Sequence, residues 1–281
     1  MAIIKAIEFP NKTFATKEAL FNDLKLNEEK LISLKTSQVY KSSEKGQISF
    51  LNGDKIQDIS KGILIAKEGF IYPIVSTTRY RDSHKDVHFD GSMTKTAKEQ
   101  QGKVVYALDH ELKYDSIIAW QKDVRMFIAK MGWAVVGKSY EGQTEGLVFE
   151  ISKDNIVRKD VLKAIEDKVS EFENSIRMQY VKMTLGMNSK NSDHKANKSY
   201  YDERIGLIAN KEEVEADGYF WGVDELRIYK EASLVVAGGS NDATSIFSKE
   251  LNEPLEDTHK QIEPAVVTQN IHKSILNNFK L

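Results

Sequence analysis

The sequence predicts an α+β protein with a β-rich domain over residues 61–247, an N-terminal extension over 1–60 and a flexible tail over 248–281. Three observations carry that expectation. From Gly62 onward, short β-branched and aromatic runs alternate with turn residues. Between them lie segments whose apolar residues recur at helical spacing. Beyond Phe247 the chain becomes polar, with Pro254 and Pro264 set among acidic, basic and amide residues, the composition of a linker or tail.

A chain of 281 residues with 41% hydrophobic content can bury a large core. Its 40 basic side chains are balanced by 42 acidic ones, for a net charge of -2, so no electrostatic footprint for nucleic acid stands out. Cysteine is absent; this excludes a disulfide framework, a thiolate zinc site and a cysteine nucleophile, and it suits a reducing compartment. The apolar run at Ile3-Ile4 is too short for a signal peptide, and nowhere do 18 apolar residues follow one another. A cytoplasmic protein with no membrane partner is expected.

In the extension, Thr16 can cap a helix carrying Leu20, Phe21, Leu24, Leu31 and Leu34, and Ser42-Ser43-Glu44-Lys45-Gly46-Gln47 reads as a solvated turn. Strands are expected over 62–66 and 70–75, then a polar loop over 82–87. Residues 103–108 form the best buried-strand candidate and deliver His110 just past their end. Asp115 or Ser116 can cap a helix with Ile117, Ile118, Val124, Phe127, Ile128 and Met131 on one face, closed by Gly132. A hairpin then joins 133–137 to 146–151, and a helix carrying Val157, Val161, Leu162, Ile165, Val169 and Phe172 leads to Ser175. Residues 188–197 read as a mobile polar loop and 200–217 as partly helical. The last strand covers 226–236, where alternation groups Glu231 with Arg227, Tyr229 and Ser233.

Ser175 opens a strand in which it shares the more polar face with Arg177 and Gln179. A serine hydroxyl is a weak nucleophile near neutral pH and needs a base in hydrogen-bond reach, for which histidine is suited. His110 is the candidate base, and a carboxylate on its far nitrogen would fix the tautomer. Glu231, on a mostly apolar strand where a buried carboxylate needs a partner, competes for that place with Asp109 and Glu111. A lone serine at a strand start is more often an edge residue, and His110 alone could be a solvated histidine. His84, His88 and His194 with Asp82, Asp86, Asp90 and Asp193 suggest a metal site only weakly, since all lie in segments read as polar loops. Neither metal nor cofactor is expected.

Five segments occur in one order: Asp82-Ser83 with Asp86-Val87, Leu108-Asp109-His110-Glu111, Glu145-Gly146-Leu147-Val148-Phe149-Glu150, Asn174-Ser175-Ile176, and Tyr229 through Val235. Together they resemble the prohead (capsid maturation) serine proteases of tailed bacteriophages, over roughly residues 62–245. The resemblance implies a compact β-barrel-like core with packed helices, related to herpesvirus assembly proteases. It also implies catalytic roles for His110, Ser175 and Glu231. The implied activity is that of an endopeptidase that cuts scaffold and major capsid proteins, other copies of itself among its substrates, inside the immature head in the host bacterial cytoplasm. The tail over 248–281 would then be an internal substrate or docking peptide.

Several departures stand against the pattern, among them the helix expected after His110 and the loop after Met187, which read as insertions. Arg177 follows Ser175-Ile176 where the family usually has a small residue, and Gly238-Gly239-Ser240-Asn241 replaces the usual Asn-Pro after the last strand. Backbone amides near Ser175, with Arg177, are the candidates for facing a developing oxyanion. A second reading keeps the fold without the activity, as a catalytically inactive scaffold or minor head component.

Overall fold

The chain is a mixed α+β protein, its helices interspersed among mostly antiparallel strands. The structure, a computed structural model, describes residues 3–38, 56–58, 62–64, 66–169, 172–236 and 243–247. The turn at 42–47, the Gly238-Gly239 segment and the tail over 248–281 lie outside the described residues.

The chain opens with β1 (Ile4–Lys5) and β2 (Thr13–Phe14), then α1 (Lys17–Leu26) and α2 (Glu28–Ser37). Next come β3 (Ile56–Asp58), β4 (Gly62–Leu64), β5 (Phe70–Thr77), β6 (Asp86–His88) and α3 (Thr94–Glu99). The middle of the chain supplies β7 (Val105–Leu108), β8 (Ile117–Ala119), β9 (Arg125–Gly132), β10 (Gln143–Ser152) and α4 (Lys159–Glu166). The last part carries β11 (Glu173–Met187), α5 (Lys195–Arg204), α6 (Lys211–Asp217), β12 (Tyr219–Val235) and β13 (Ser245–Phe247).

Among the described residues these elements make six helices and three sheets, none of which closes into a barrel. One sheet is the pair β1-β2, another has the order β13-β5-β10-β9-β3-β4, and the third runs β11-β12-β7-β8 with β6 added alongside β12. The long strand β12 is the axis of the third sheet: it runs antiparallel to β11 and parallel to β6 and β7. At Gly222 of β12 a Cβ would stand 2.1 Å from the Tyr200 hydroxyl, so only glycine lets α5 lie this close to the strand.

Thr16 caps α1 as expected, its Oγ1 accepting from Ala19 N at 3.1 Å. Leu20, Phe21 and Leu24 of α1 join the same apolar core as Tyr106, Phe149, Ile176 and Trp221. The N-terminal segment thus contributes to the main core, and Lys35 Nζ of α2 reaches Asp86 Oδ1 at 2.6 Å. No helix among the described residues is long and apolar enough to cross a membrane.

Several local expectations need correction. The helix expected after His110 is instead β8 and β9. Its apolar run over 124–131 satisfies both periods, and pairing of the whole of β9 with β10 decides for strand. Residues 133–136 are a 3-10 turn ended by Gly137 at φ 73°, so β9 takes the hairpin position expected for them. The helix before Ser175 spans only Lys159–Glu166, leaving Val157 and Val169 exposed. Residues 188–197 are not a loose loop: Ser189 Oγ donates to Glu18 Oε2 at 2.7 Å, and α5 begins at Lys195. Residues 86–88, expected to be loop, form β6.

Candidate active site

Three segments far apart in sequence converge where β11, β12 and β7 lie side by side. β7 runs parallel to β12, with Ser233 opposite Ala107 and Leu234 opposite Leu108, and the chain then turns sharply at Asp109-His110. Both residues have positive φ, 51° and 59°, and Glu111 N donates to Leu108 O at 3.0 Å. This is the arrangement of a primed β-turn, which favours Asn or Asp followed by Gly. Aspartate is at home in the first position. A non-glycine residue in the second has a cost of about 1–2 kcal/mol, the kind of local strain that clusters at functional sites. The turn places the imidazole over the β11–β12 ladder.

Ser175 sits near the start of β11, directly opposite Ser233 on β12. Its neighbour Asn174 is fixed on every side. Oδ1 accepts from the Tyr106 hydroxyl at 2.7 Å, Nδ2 donates to Ser245 O at 2.9 Å, and the amide N donates to Thr244 Oγ1 at 3.2 Å. Burial pushes the Tyr106 phenol well above its ordinary pKa, so it remains a donor. The residue beside the serine is therefore rigidly set by two sheets at once.

Glu231 reaches the site because β12 bulges. Ala232 pairs with Ile176 but Ile228 pairs with Met178, so Tyr229, Lys230 and Glu231 together face the single residue Arg177. Lys230 takes the left-handed conformation, φ 68°, at the centre of this bulge. The simple alternation that groups Glu231 with Arg227 and Tyr229 fails here. Arg227 and Tyr229 are exposed, whereas Glu231 and Ser233 are wholly buried.

The resulting contacts form a line. His110 Nε2 is 2.5 Å from Ser175 Oγ, and His110 Nδ1 is 2.8 Å from Glu231 Oε1. The carboxylate can only accept, so Nδ1 carries the proton and Nε2 is left to accept from the serine hydroxyl. Ser233 Oγ donates to Glu231 Oε2 at 2.7 Å and accepts from His110 N at 3.1 Å. Asp109 and Glu111 are both exposed, and Glu111 is paired with Lys113 at 2.6 Å. Of the three carboxylates, Glu231 is the one on Nδ1.

Arg177 faces the acid–base side of this line. Its Nη2 donates to His110 O at 3.0 Å. Its Nε lies 3.0 Å from Glu231 Oε1 but off the line of a hydrogen bond, so that contact is electrostatic. A positive charge beside a wholly buried carboxylate offsets much of the cost of withdrawing it from water.

Sequence reasoning groups Ser233 only by alternation and considers Arg177 only for an oxyanion; neither role described above was visible. A signal for the bulge does exist: Lys230 occupies the place where alternation from Ile228 to Ala232 calls for an apolar residue. The histidines considered for a metal do not gather. His88 is buried on β6 with Nδ1 3.3 Å from Ser76 Oγ, and His194 Nδ1 lies 2.8 Å from Ser189 Oγ. Among the described residues no group of three or more potential metal ligands occurs.

What the trio can do chemically follows from these contacts. Ser175 can attack a carbonyl while Nε2 takes its proton, and Glu231 stabilises the imidazolium that forms. No family model, no curated protein and no solved structure matches this chain.

Proposed function

We propose that the chain is a serine endopeptidase in which Ser175 is the nucleophile, His110 the general base and Glu231 the group that orients the base. The observation that carries this reading is the unbroken contact series from Ser175 Oγ to His110 Nε2 and from Nδ1 to Glu231 Oε1. Three segments separated by 65 and then 56 positions meet in the order that acyl transfer needs. The left-handed turn at His110 and the bulge at Lys230 support it as well, since both are costly features that serve to aim a side chain.

The substrate class rests on the order of the five sequence segments. On that basis the protease cleaves scaffold and major capsid proteins, and other copies of itself, during maturation of a phage head in the bacterial cytoplasm. A barrel-like core belongs to the same proposal. In its support, Asn174 on the edge strand β11 is bonded to Ser245 on the edge strand β13.

The test has two parts. A fluorophosphonate probe added to purified protein is expected to label Ser175 and to leave Ser175→Ala unlabelled. Co-expression with a tailed-phage major capsid protein is expected to give processed capsid protein with the wild type and full-length protein with Ser175→Ala. A folded wild type that neither takes the probe nor processes any head protein would favour the inactive scaffold instead.

A further inference from the structure

Two side chains outside the Ser175–His110–Glu231 line grip the backbone of its central residue, one at the N–H and the other at the carbonyl. Ser233 accepts from His110 N at 3.1 Å, and Arg177 donates to His110 O at 3.0 Å. Each also holds Glu231, Ser233 by a 2.7 Å hydrogen bond to Oε2 and Arg177 by its 3.0 Å approach to Oε1. The two brackets therefore tie the backbone of the base to the carboxylate that orients its ring. Residue 110 is where such ties are needed, because a histidine in the left-handed region relaxes to an ordinary conformation unless its surroundings hold it.

We infer that Arg177 and Ser233 are positioning residues that hold the His110 backbone in its left-handed turn and Glu231 against Nδ1. The inference rests on the proteolytic reading of the trio and deepens it. It also gives Arg177 a place other than the oxyanion site. A guanidinium suits this work better than an ammonium, since its planar fork presents separate nitrogens to the His110 carbonyl and the Glu231 carboxylate. Lysine has one charged nitrogen for both.

The experiment compares wild type with Arg177→Ala, Arg177→Lys and Ser233→Ala in two readouts. One is the rate at which diisopropyl fluorophosphate labels Ser175. The other is the proton NMR signal of the His110 Nδ1–H, assigned by its loss in His110→Ala. Arg177→Ala is expected to keep its circular dichroism, to label about 100-fold more slowly, and to lose or shift the Nδ1–H signal. Added methylguanidinium is expected to recover part of the rate in Arg177→Ala but none in Ser233→Ala, and Arg177→Lys is expected to fold without recovering the rate.

If Arg177→Ala fails to fold, Arg177→Gln takes its place in the same comparison. Labelling within about twofold of wild type, with an unchanged Nδ1–H signal, would overturn the inference. Absence of labelling in the wild type would count against the proteolytic reading instead. The NMR arm then still decides: an Nδ1–H signal that depends on Arg177 supports the bracket, and one indifferent to it refutes the bracket.

Discussion

Ser175 and Ser233 are directly opposite residues of the β11–β12 ladder, and both are shut off from solvent. From this one rung their hydroxyls diverge. The first meets His110 Nε2 and the second donates to Glu231 Oε2. The two ends of the Ser175–His110–Glu231 line are thus anchored on one cross-strand pair, so on the proposed reading changes at any member are expected to act on rate more than on fold.

Glu231→Gln is expected to remain folded and to lose roughly 10³- to 10⁴-fold in rate, the scale for the equivalent change in a serine protease triad. Asp109→Asn and Glu111→Gln are expected to stay near wild-type rate, because both side chains face solvent. Esterolysis of an activated ester by the purified variants checks this. Loss of activity at Asp109 or Glu111 with Glu231→Gln still active would reassign the third member.

Lys230 offers a backbone test of the same site. At φ 68° a lysine forfeits stability that glycine would not, so Lys230→Gly is expected to be neutral or stabilising by up to about 1 kcal/mol. Lys230→Val, β-branched and ill suited to positive φ, is expected to destabilise by about 1–2 kcal/mol and to slow Ser175 labelling by moving Glu231. Urea denaturation alongside labelling separates the two effects. A valine variant with unaltered labelling would show that the bulge does not aim the carboxylate.

The pair Lys35–Asp86 joins the N-terminal helices to the sheet that carries the site. Asp86 is wholly withdrawn from water, accepts from Lys35 at 2.6 Å and from the Tyr180 hydroxyl at 2.8 Å, and sits beside the equally enclosed Asp82. Burial pushes the carboxyls of both aspartates up despite the attraction of Lys35. Lys35→Met leaves Asp86 without its cation and is expected to cost about 3–5 kcal/mol. A cost below about 1 kcal/mol in urea denaturation would mean that packing of Leu20, Phe21 and Leu24 alone secures the segment.

His88 makes stability sensitive to acid. Burial holds its pKa down to about 4, against an ordinary value near 6.5. Between these values the unfolded chain binds the proton and the folded chain does not, so stability falls as pH drops through that window. The loss from this one group amounts to about 3 kcal/mol. His88 Nδ1 lies 3.3 Å from Ser76 Oγ and its ring packs edge-to-face with Tyr180, and burial is the cause of the lowered pKa. His88→Leu is expected to flatten the decline between pH 6.5 and pH 4 in urea midpoints, and an equally steep decline would assign it to other groups.

The three residues that the structure brings together were named in the sequence by the order of the five segments, while residue type and strand position alone left Asp109 and Glu111 open beside Glu231. Their means of support were not legible. Whether Glu231 turned inward depended on a two-residue excess in β12, and strict alternation would have aimed it with the exposed Tyr229. The run over 124–131 was misread as a helix because apolar residues occupied nearly every position, which leaves the period undetermined until a pairing partner is known. The contribution of residues 14–24 to the core was hidden for a similar reason: an amphipathic helix does not name the surface that it will cover.

The place of β12 between β11 and β7 gives the site a built-in order of assembly. Until that strand is inserted, the segment bearing Ser175 and the turn bearing His110 have no ladder in common, and neither the orienting carboxylate nor the Ser233 hydroxyl is present. A nascent chain therefore cannot assemble the Ser175–His110–Glu231 line through its first two hundred or so residues. Docking of this late strand at once completes the sheet and brings the three side chains together. Any partial unfolding that frees β12 undoes both together.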